Sequence, residues 1–378
     1  MILKNGRVMT ESFTLKKCDL KIENGMITGI ADFITGEDAV DMNGCLILPG
    51  FIDSHLHGAM GCIIADEAPD LAKITRYEAT QGVTSIAIST VCSDFDHLLR
   101  QIDLAVEAAG TNNGAKIAAI HAEGPFINPA KKGAMDENFI LTPSREKLDL
   151  MIEHAKGLLR LITLAPEQEG AMELIPYAVS RGLTVSMGHT TATYEQAQAA
   201  IRAGASQTTH TFNAMRAYSH REPGVLGAAL TDPSVVCEMI CDHTHLHPAV
   251  LKLIYGMKGA EGINIISDSE YGAGLDAEQV IVNGEVRYIR GGVMVMEDGT
   301  IAGSASSMLY GIQNLLADGI PLEDVSRMAS LNPARTLKID HLTGSIAVGK
   351  AADLAVLDQN YNVLFTYVNG ECVYRKEE

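Results

Sequence analysis

Short apolar runs alternate with longer stretches through the middle of this chain. The runs fall at residues 51–57, 84–90, 116–123, 160–165, 183–189, 206–210, 235–241 and 262–267, and each reads as a strand. Between most of them, apolar positions recur at helical spacing, for example over 98–109, 145–155 and 194–203. Gly82, Gly182, Gly204 and Gly262 stand at or just before strand starts, where a helix would end. Eight strand–helix units in about 260 residues suit a (β/α)8 TIM-type barrel. A doubly wound sheet is the competing α/β architecture.

The ends of the chain have a different texture. Residues 2–8 alternate around Asn5-Gly6, and 20–29 alternate around Asn24-Gly25, so both are expected to be hairpins. Residues 352–357 and 364–374 are similarly β-rich. The two ends are expected to pair into one small β-sandwich, formed by 1–50 with 339–378 around a barrel of 51–338. Asn283-Gly284 and Asp298-Gly299 predict hairpins in an insertion near 275–303. Helices are expected to resume near Met308 and over 322–331.

Composition narrows the possibilities. A chain of 378 residues exceeds what one compact core usually holds, which fits one large and one small domain. A net charge of -18 argues against nucleic acid or an anionic membrane as partner. An anionic substrate would need a local basic pocket. No signal peptide and no run near the ~20 apolar residues of a spanning helix is visible. Seven scattered cysteines suggest a reducing cytoplasm, with Cys237 and Cys241 as core residues.

The chemistry lies at the strand ends. His55 and His57, two apart at the end of the first run, would point to one face of a strand. Alone such a pair is a weak sign of a metal. Glu123, His189 and His210 also end runs, and the shared placement points to a divalent metal centre such as Zn or Fe(II). Asp268 follows the eighth run, where a carboxylate can act as general base and then acid. A doubly wound sheet would not readily gather groups from the first, third, fifth, sixth and eighth strands. A closed barrel does.

These residues and their neighbours resemble the amidohydrolase superfamily and, within it, the N-acetylglucosamine-6-phosphate deacetylases. The matching stretches are Pro49 to Gly58, His121 to Phe126, Gly188 to Thr190, Thr209 to Met215, Arg221 to Gly224, Ala302 to Ser304 and the tail from Gly344 to Leu354. The resemblance implies that Glu123, His189 and His210 hold a primary metal and that His55 and His57 serve a second. It implies one or two divalent ions per subunit (Zn, Fe or Mn), with Asp268 as catalytic acid and base. His245 would orient the substrate carbonyl, and Asn213 and Ala214 would contact the sugar phosphate. Arg221 would bind phosphate, from the partner subunit of a homodimer, with His220 beside it. Lys131 and Lys132 could form a lid over the anion, whereas His243 and His247 read as solvated or structural.

The chain departs from that family around the sugar. Met135, after Ala134, stands where a polar His or Gln is usual. Asp242 to His245 reads Asp-His-Thr-His, and 269–274 is not the usual small apolar loop. The expected activity is removal of the acetyl group from N-acetylglucosamine 6-phosphate. The alternatives are a galacto or manno epimer, another amidohydrolase, and a silent barrel used as a scaffold. Glu123 sits where many other amidohydrolases carry a carboxylated lysine, which disfavours them. Retention of every ligand disfavours a scaffold.

Overall fold

The computed structural model describes residues 1–110, 114–282 and 284–377. Eight parallel strands follow chain order in one sheet: Phe51–Leu56, Val83–Thr90, Lys116–Glu123, Leu159–Leu164, Thr184–Met187, Gln207–Thr208, Val236–Ile240 and Ile263–Ile266. They are the eight runs anticipated from the sequence. Beyond their ladders the first and last strands meet: the Asp268 N–H donates to His55 O at 2.9 Å, and Leu56 bridges Ser269. The sheet is thereby brought round into a (β/α)8 barrel with helices outside it.

Local sequence explains the elements. Every residue of Val83–Thr90 is buried, as a strand covered on both faces must be. The helix Tyr194–Ala203 starts at a reciprocal Thr193/Gln196 capping box and stops at Gly204, whose φ of 113° suits glycine. One end of the barrel is plugged by Ile52, Ala87, Ala119 and Leu161 against Ala334, Leu337 and Ile339. Burying each large side chain there stabilises the fold by roughly 1.5–3 kcal/mol. The predicted chemistry lies at the opposite end.

A second sheet joins the chain ends. Its N-terminal strands are Ile2–Met9, Leu15–Glu23, Met26–Ala31, Ala39–Asp41 and Leu46–Pro49, and its C-terminal ones are Leu354–Leu357, Val363–Val368 and Glu371–Arg375. Leu46–Pro49 pairs antiparallel with Leu354–Leu357 and links the two halves. The sheet folds over its own core of Leu3, Val8, Leu20, Ile22, Ile47, Leu354 and Val356, giving a small β-sandwich.

The Asn5-Gly6 hairpin does not form. Residues 2–9 are one strand, with Leu3 opposite Leu20 and Gly6 opposite Cys18, and a register shift between them. Asn5 sits at φ 63°, its N–H donates to Asp19 Oδ1 at 3.0 Å, and its amide reaches Asp41 Oδ1 at 2.9 Å. Those two carboxylates hold the positive-φ residue as a bulge, and the chain turns later. Asn24-Gly25 does turn the chain; a Cβ on Gly25 would meet Asn369 O at 2.8 Å.

After the eighth barrel strand comes a four-stranded antiparallel sheet of Gln279–Val282, Glu285–Arg290, Val293–Val295 and Ile301–Ser304. Asn283 of the expected Asn-Gly turn lies outside the described residues. Two contacts fix this sheet over the barrel mouth. Ser269 bridges Ser304, and Thr244 Oγ1 donates to Gly291 O at 2.9 Å. Among the described residues, no helix is long and apolar enough to cross a membrane.

Candidate active site

The six residues singled out at the strand ends converge. Glu123 lies at the centre: its Oε1 is 3.1 Å from His189 Nε2, 3.1 Å from His210 Nε2 and 3.4 Å from His55 Nε2, and its Oε2 is 3.1 Å from His57 Nε2. Asp268 Oδ1 lies 3.4 Å from His55 Nε2 and 3.6 Å from His57 Nε2. All six are buried. His189, His210 and Asp268 also sit at positive φ (47°, 28° and 51°). A non-glycine residue held there costs about 1–3 kcal/mol, which surrounding structure must offset.

The ring nitrogens show what the cluster lacks. His55 Nδ1 faces Glu238 Oε2 at 3.1 Å, His57 Nδ1 faces Ser89 O at 3.0 Å, and His189 Nδ1 faces Lys131 O at 2.7 Å. Each of these partners is an acceptor, so each Nδ1 carries the proton and each neutral ring aims an Nε2 lone pair inward. His189 Nε2 and His210 Nε2 are then 3.0 Å apart, and His55 Nε2 is buried without a hydrogen-bond partner. Such convergence demands a cation or extra protons. Two groups have metal-ligand spacing: Glu123, His189 and His210, and His55, His57 and Asp268. The donor set, imidazole with carboxylate, fits a divalent transition metal.

Without a cation, protons relieve the repulsion. Burial pulls His57 down, but hydrogen bonding to Asp268 and Glu123 outweighs it and lifts its pKa to about 10. His55 is raised well above its usual value in the same way, burial being overcome by Asp268, Glu123 and Glu238. For Glu123 and Asp268, burial acts upward but the nearby imidazoles, His55 foremost, prevail and hold both carboxyls low. Burial, reinforced by His55, keeps His121 neutral; its ring is fixed by Ser89 Oγ at 2.9 Å and Thr163 Oγ1 at 2.8 Å.

A cavity of about 1070 Å³ opens above the cluster. His245, Asn213, Ala214, Ala134 and Met135 all line it. Asp242 Oδ2 is 2.7 Å from His245 Nδ1, leaving Nε2 as the nitrogen available to a ligand. Lys131 and Lys132 line the wall, with Lys132 Nζ donating to Met135 O at 3.0 Å. Arg221 and His220 are not brought there within one chain; both are exposed on the loop before the helix Gly224–Thr231. Glu222, beside Arg221, pairs instead with Arg216 at 3.2 Å. His243 is held by Asp318 at 3.0 Å, and His247 caps the helix Pro248–Lys258.

Three groups were not anticipated. Glu238, fully buried on the seventh strand, holds His55 Nδ1, accepts the His210 N–H at 3.1 Å and accepts from Gln207 Nε2 at 2.6 Å. Its only sequence signal is a charge inside an apolar strand. Glu270 lines the cavity, and burial pushes its carboxyl up to about 7. Arg287 reaches the cavity from the inserted sheet.

The model of the amidohydrolase family matches residues 46–373. The chain belongs to the amidohydrolase family. This amidohydrolase is 33% identical to an N-acetylglucosamine-6-phosphate deacetylase of Vibrio furnissii, over 93% of this chain and 89% of that one. It is equally 33% identical to an N-acetylgalactosamine-6-phosphate deacetylase of Escherichia coli O157:H7, over 98% of each. The N-acetyl-D-glucosamine-6-phosphate deacetylase of Mycobacterium smegmatis, solved with N-acetyl-D-glucosamine-6-phosphate, superposes with a TM-score of 0.91 at 31% identity, covering 99% of each chain. The amidohydrolase fold thus agrees with solved relatives along its whole length.

Proposed function

We propose that the protein hydrolyses the N-acetyl group of N-acetylglucosamine 6-phosphate, giving glucosamine 6-phosphate and acetate. One observation carries the reading: four imidazole Nε2 atoms and Asp268 gathered around Glu123 beneath a cavity large enough for a sugar phosphate. Glu123, His189 and His210 would hold a divalent metal, with His55 and His57 able to hold a second. Zinc is the first choice, with iron or manganese acceptable to the same donors.

Such a metal would supply Lewis acidity, making water a competent nucleophile at neutral pH and polarising an amide carbonyl. The side chains do the rest. Asp268, whose Oδ1 lies 3.4 Å from His55 Nε2 at the centre of the cluster, accepts as a carboxylate the proton of the attacking water. The same proton then passes to the sugar nitrogen as the C–N bond breaks, so an amine leaves rather than an amide anion. His245, held through Nδ1 by Asp242, donates from Nε2 to the acetyl oxygen as it gains charge when the ring carries both protons, the Asp242 carboxylate balancing its charge. Asn213 and Ala214 position the sugar phosphate. Arg221 and His220 complete that contact from a neighbouring subunit, which requires at least a homodimer.

A second reading has a specific observation behind it. The galactosamine-type relative matches as well as the glucosamine-type one, and Met135 and Glu270 both line the cavity. The epimer at C4 could therefore be the better substrate. The test is acetate release by metal-loaded protein from N-acetylglucosamine 6-phosphate, its galacto and manno epimers, and unphosphorylated N-acetylglucosamine. The expected result is preference for the first and a large loss without phosphate. Preference for the galacto epimer would establish the second reading, and no release from any would refute both.

A further inference from the structure

We propose that Arg287 is an anion ligand of the active-site cavity, supplied by the same chain, and that it selects for a phosphorylated substrate. The inference rests on the hexosamine-phosphate reading above and adds a residue to it. In the inserted sheet, Val280 lies opposite Arg287, Val282 opposite Glu285, and Ile281 opposite Val286. Alternation puts Val280, Val282, Glu285 and Arg287 on one face and Ile281 and Val286 on the other. The first face contributes Val282, Glu285 and Arg287 to the cavity, while Ile281 and Val286 are exposed. The register of one hairpin therefore aims the guanidinium at the site.

The arginine is poised rather than satisfied. Its side chain is 14% exposed, and its Nε is buried with no hydrogen-bond partner. Its Nη2 reaches Glu285 Oε2 at 2.9 Å, but that carboxylate is 62% exposed, and an ion pair with such a partner is weak. A buried guanidinium donor left unpaired is unfavourable, and a phosphate presents several oxygens that can engage the fork. Arg287 is also the only arginine lining the cavity among the described residues; the other strong cations there are Lys131 and Lys132. Asp66, Glu67, Asp136 and Glu285 line the same cavity, so an entering anion has only these three cations to engage. The Thr244–Gly291 hydrogen bond ties the inserted sheet to the loop carrying His245, so that sheet is fixed relative to the chemistry.

The test compares Arg287→Met and Arg287→Lys with the exposed neighbour Arg290→Met. The readout is the ratio of kcat/KM for N-acetylglucosamine 6-phosphate over unphosphorylated N-acetylglucosamine. Arg287→Met is expected to lower that ratio at least tenfold, mainly through KM, and Arg287→Lys to restore part of it. Arg290→Met should keep the wild-type ratio. A ratio within twofold of wild type for Arg287→Met, or an equal loss on both substrates, overturns the proposal. Calorimetric titration with inorganic phosphate reads the same site without turnover. At least tenfold weaker binding to Arg287→Met supports the assignment even if wild type releases no acetate, an outcome that would refute only the function. Unchanged phosphate binding overturns the assignment.

Discussion

The two ends of the barrel are built from the same strands and solve opposite problems. At one end Ile52, Ala87, Ala119 and Leu161 pack against Ala334, Leu337 and Ile339 as one buried apolar cluster. At the other end the same sheet presents His55, His57, Glu123, His189, His210 and Asp268, whose facing nitrogens and oxygens repel unless something positive joins them. The first end is finished by folding. The second needs a cation or extra protons, and three of its residues are held at positive φ against local preference. Stability and function are therefore separable by position along a strand, and substitutions should sort by barrel end.

The largest expected effect is on chemistry alone. Asp268→Asn should lower kcat by about 10²–10⁴-fold, the range of a lost general acid–base, while the metal held by Glu123, His189 and His210 stays near wild type. Activity within tenfold of wild type would remove Asp268 from its role. Next comes the plug: Leu161→Ala should cost about 2–5 kcal/mol in denaturant unfolding and leave KM unchanged. A large KM change there would break the separation of ends. Glu238→Gln should come third, weakening metal affinity by about 10–100-fold, since it removes the charge behind His55. Metal titration of the variant checks it.

The smallest effect concerns buried acid outside the site. Glu78 is fully buried with both carboxyl oxygens unpartnered, and burial raises its pKa well above the usual range. Burial also raises its neighbour Asp53, to about 6. An acid raised in the fold favours the native state while protonated, so each contribution is full below the ordinary carboxylate range and is lost as pH rises toward the raised value, about 6 for Asp53. Glu78→Gln should therefore be more stable than wild type at pH 7, with the difference shrinking as pH falls to 5. Equal pH dependence of unfolding in both proteins would contradict the assignment.

The barrel was legible because its strands are continuous apolar runs, and the cluster of imidazoles and carboxylates because each of its residues closes such a run. Glu238 was hidden by the same logic: it sits inside a strand, and only the closed barrel brings it behind His55, 183 residues away in sequence. For Arg287 the Asn283-Gly284 pattern gives the hairpin register, but which face of the hairpin meets the cavity depends on how the inserted sheet packs over the barrel. Asn5-Gly6 reads as a turn but becomes a bulge because Asp19 and Asp41, distant in sequence, take its donors. Arg221 marks another limit, since one chain leaves it exposed and a partner would have to give it a site.

The most direct test strips the protein with a chelator and adds Zn, Fe(II) or Mn back in steps, measuring bound metal and acetate release in the same samples. Release should be lost on stripping and return in proportion to the metal bound, to one or two ions per chain. Full acetate release from metal-free protein, or failure to bind any of the three ions, would contradict that expectation.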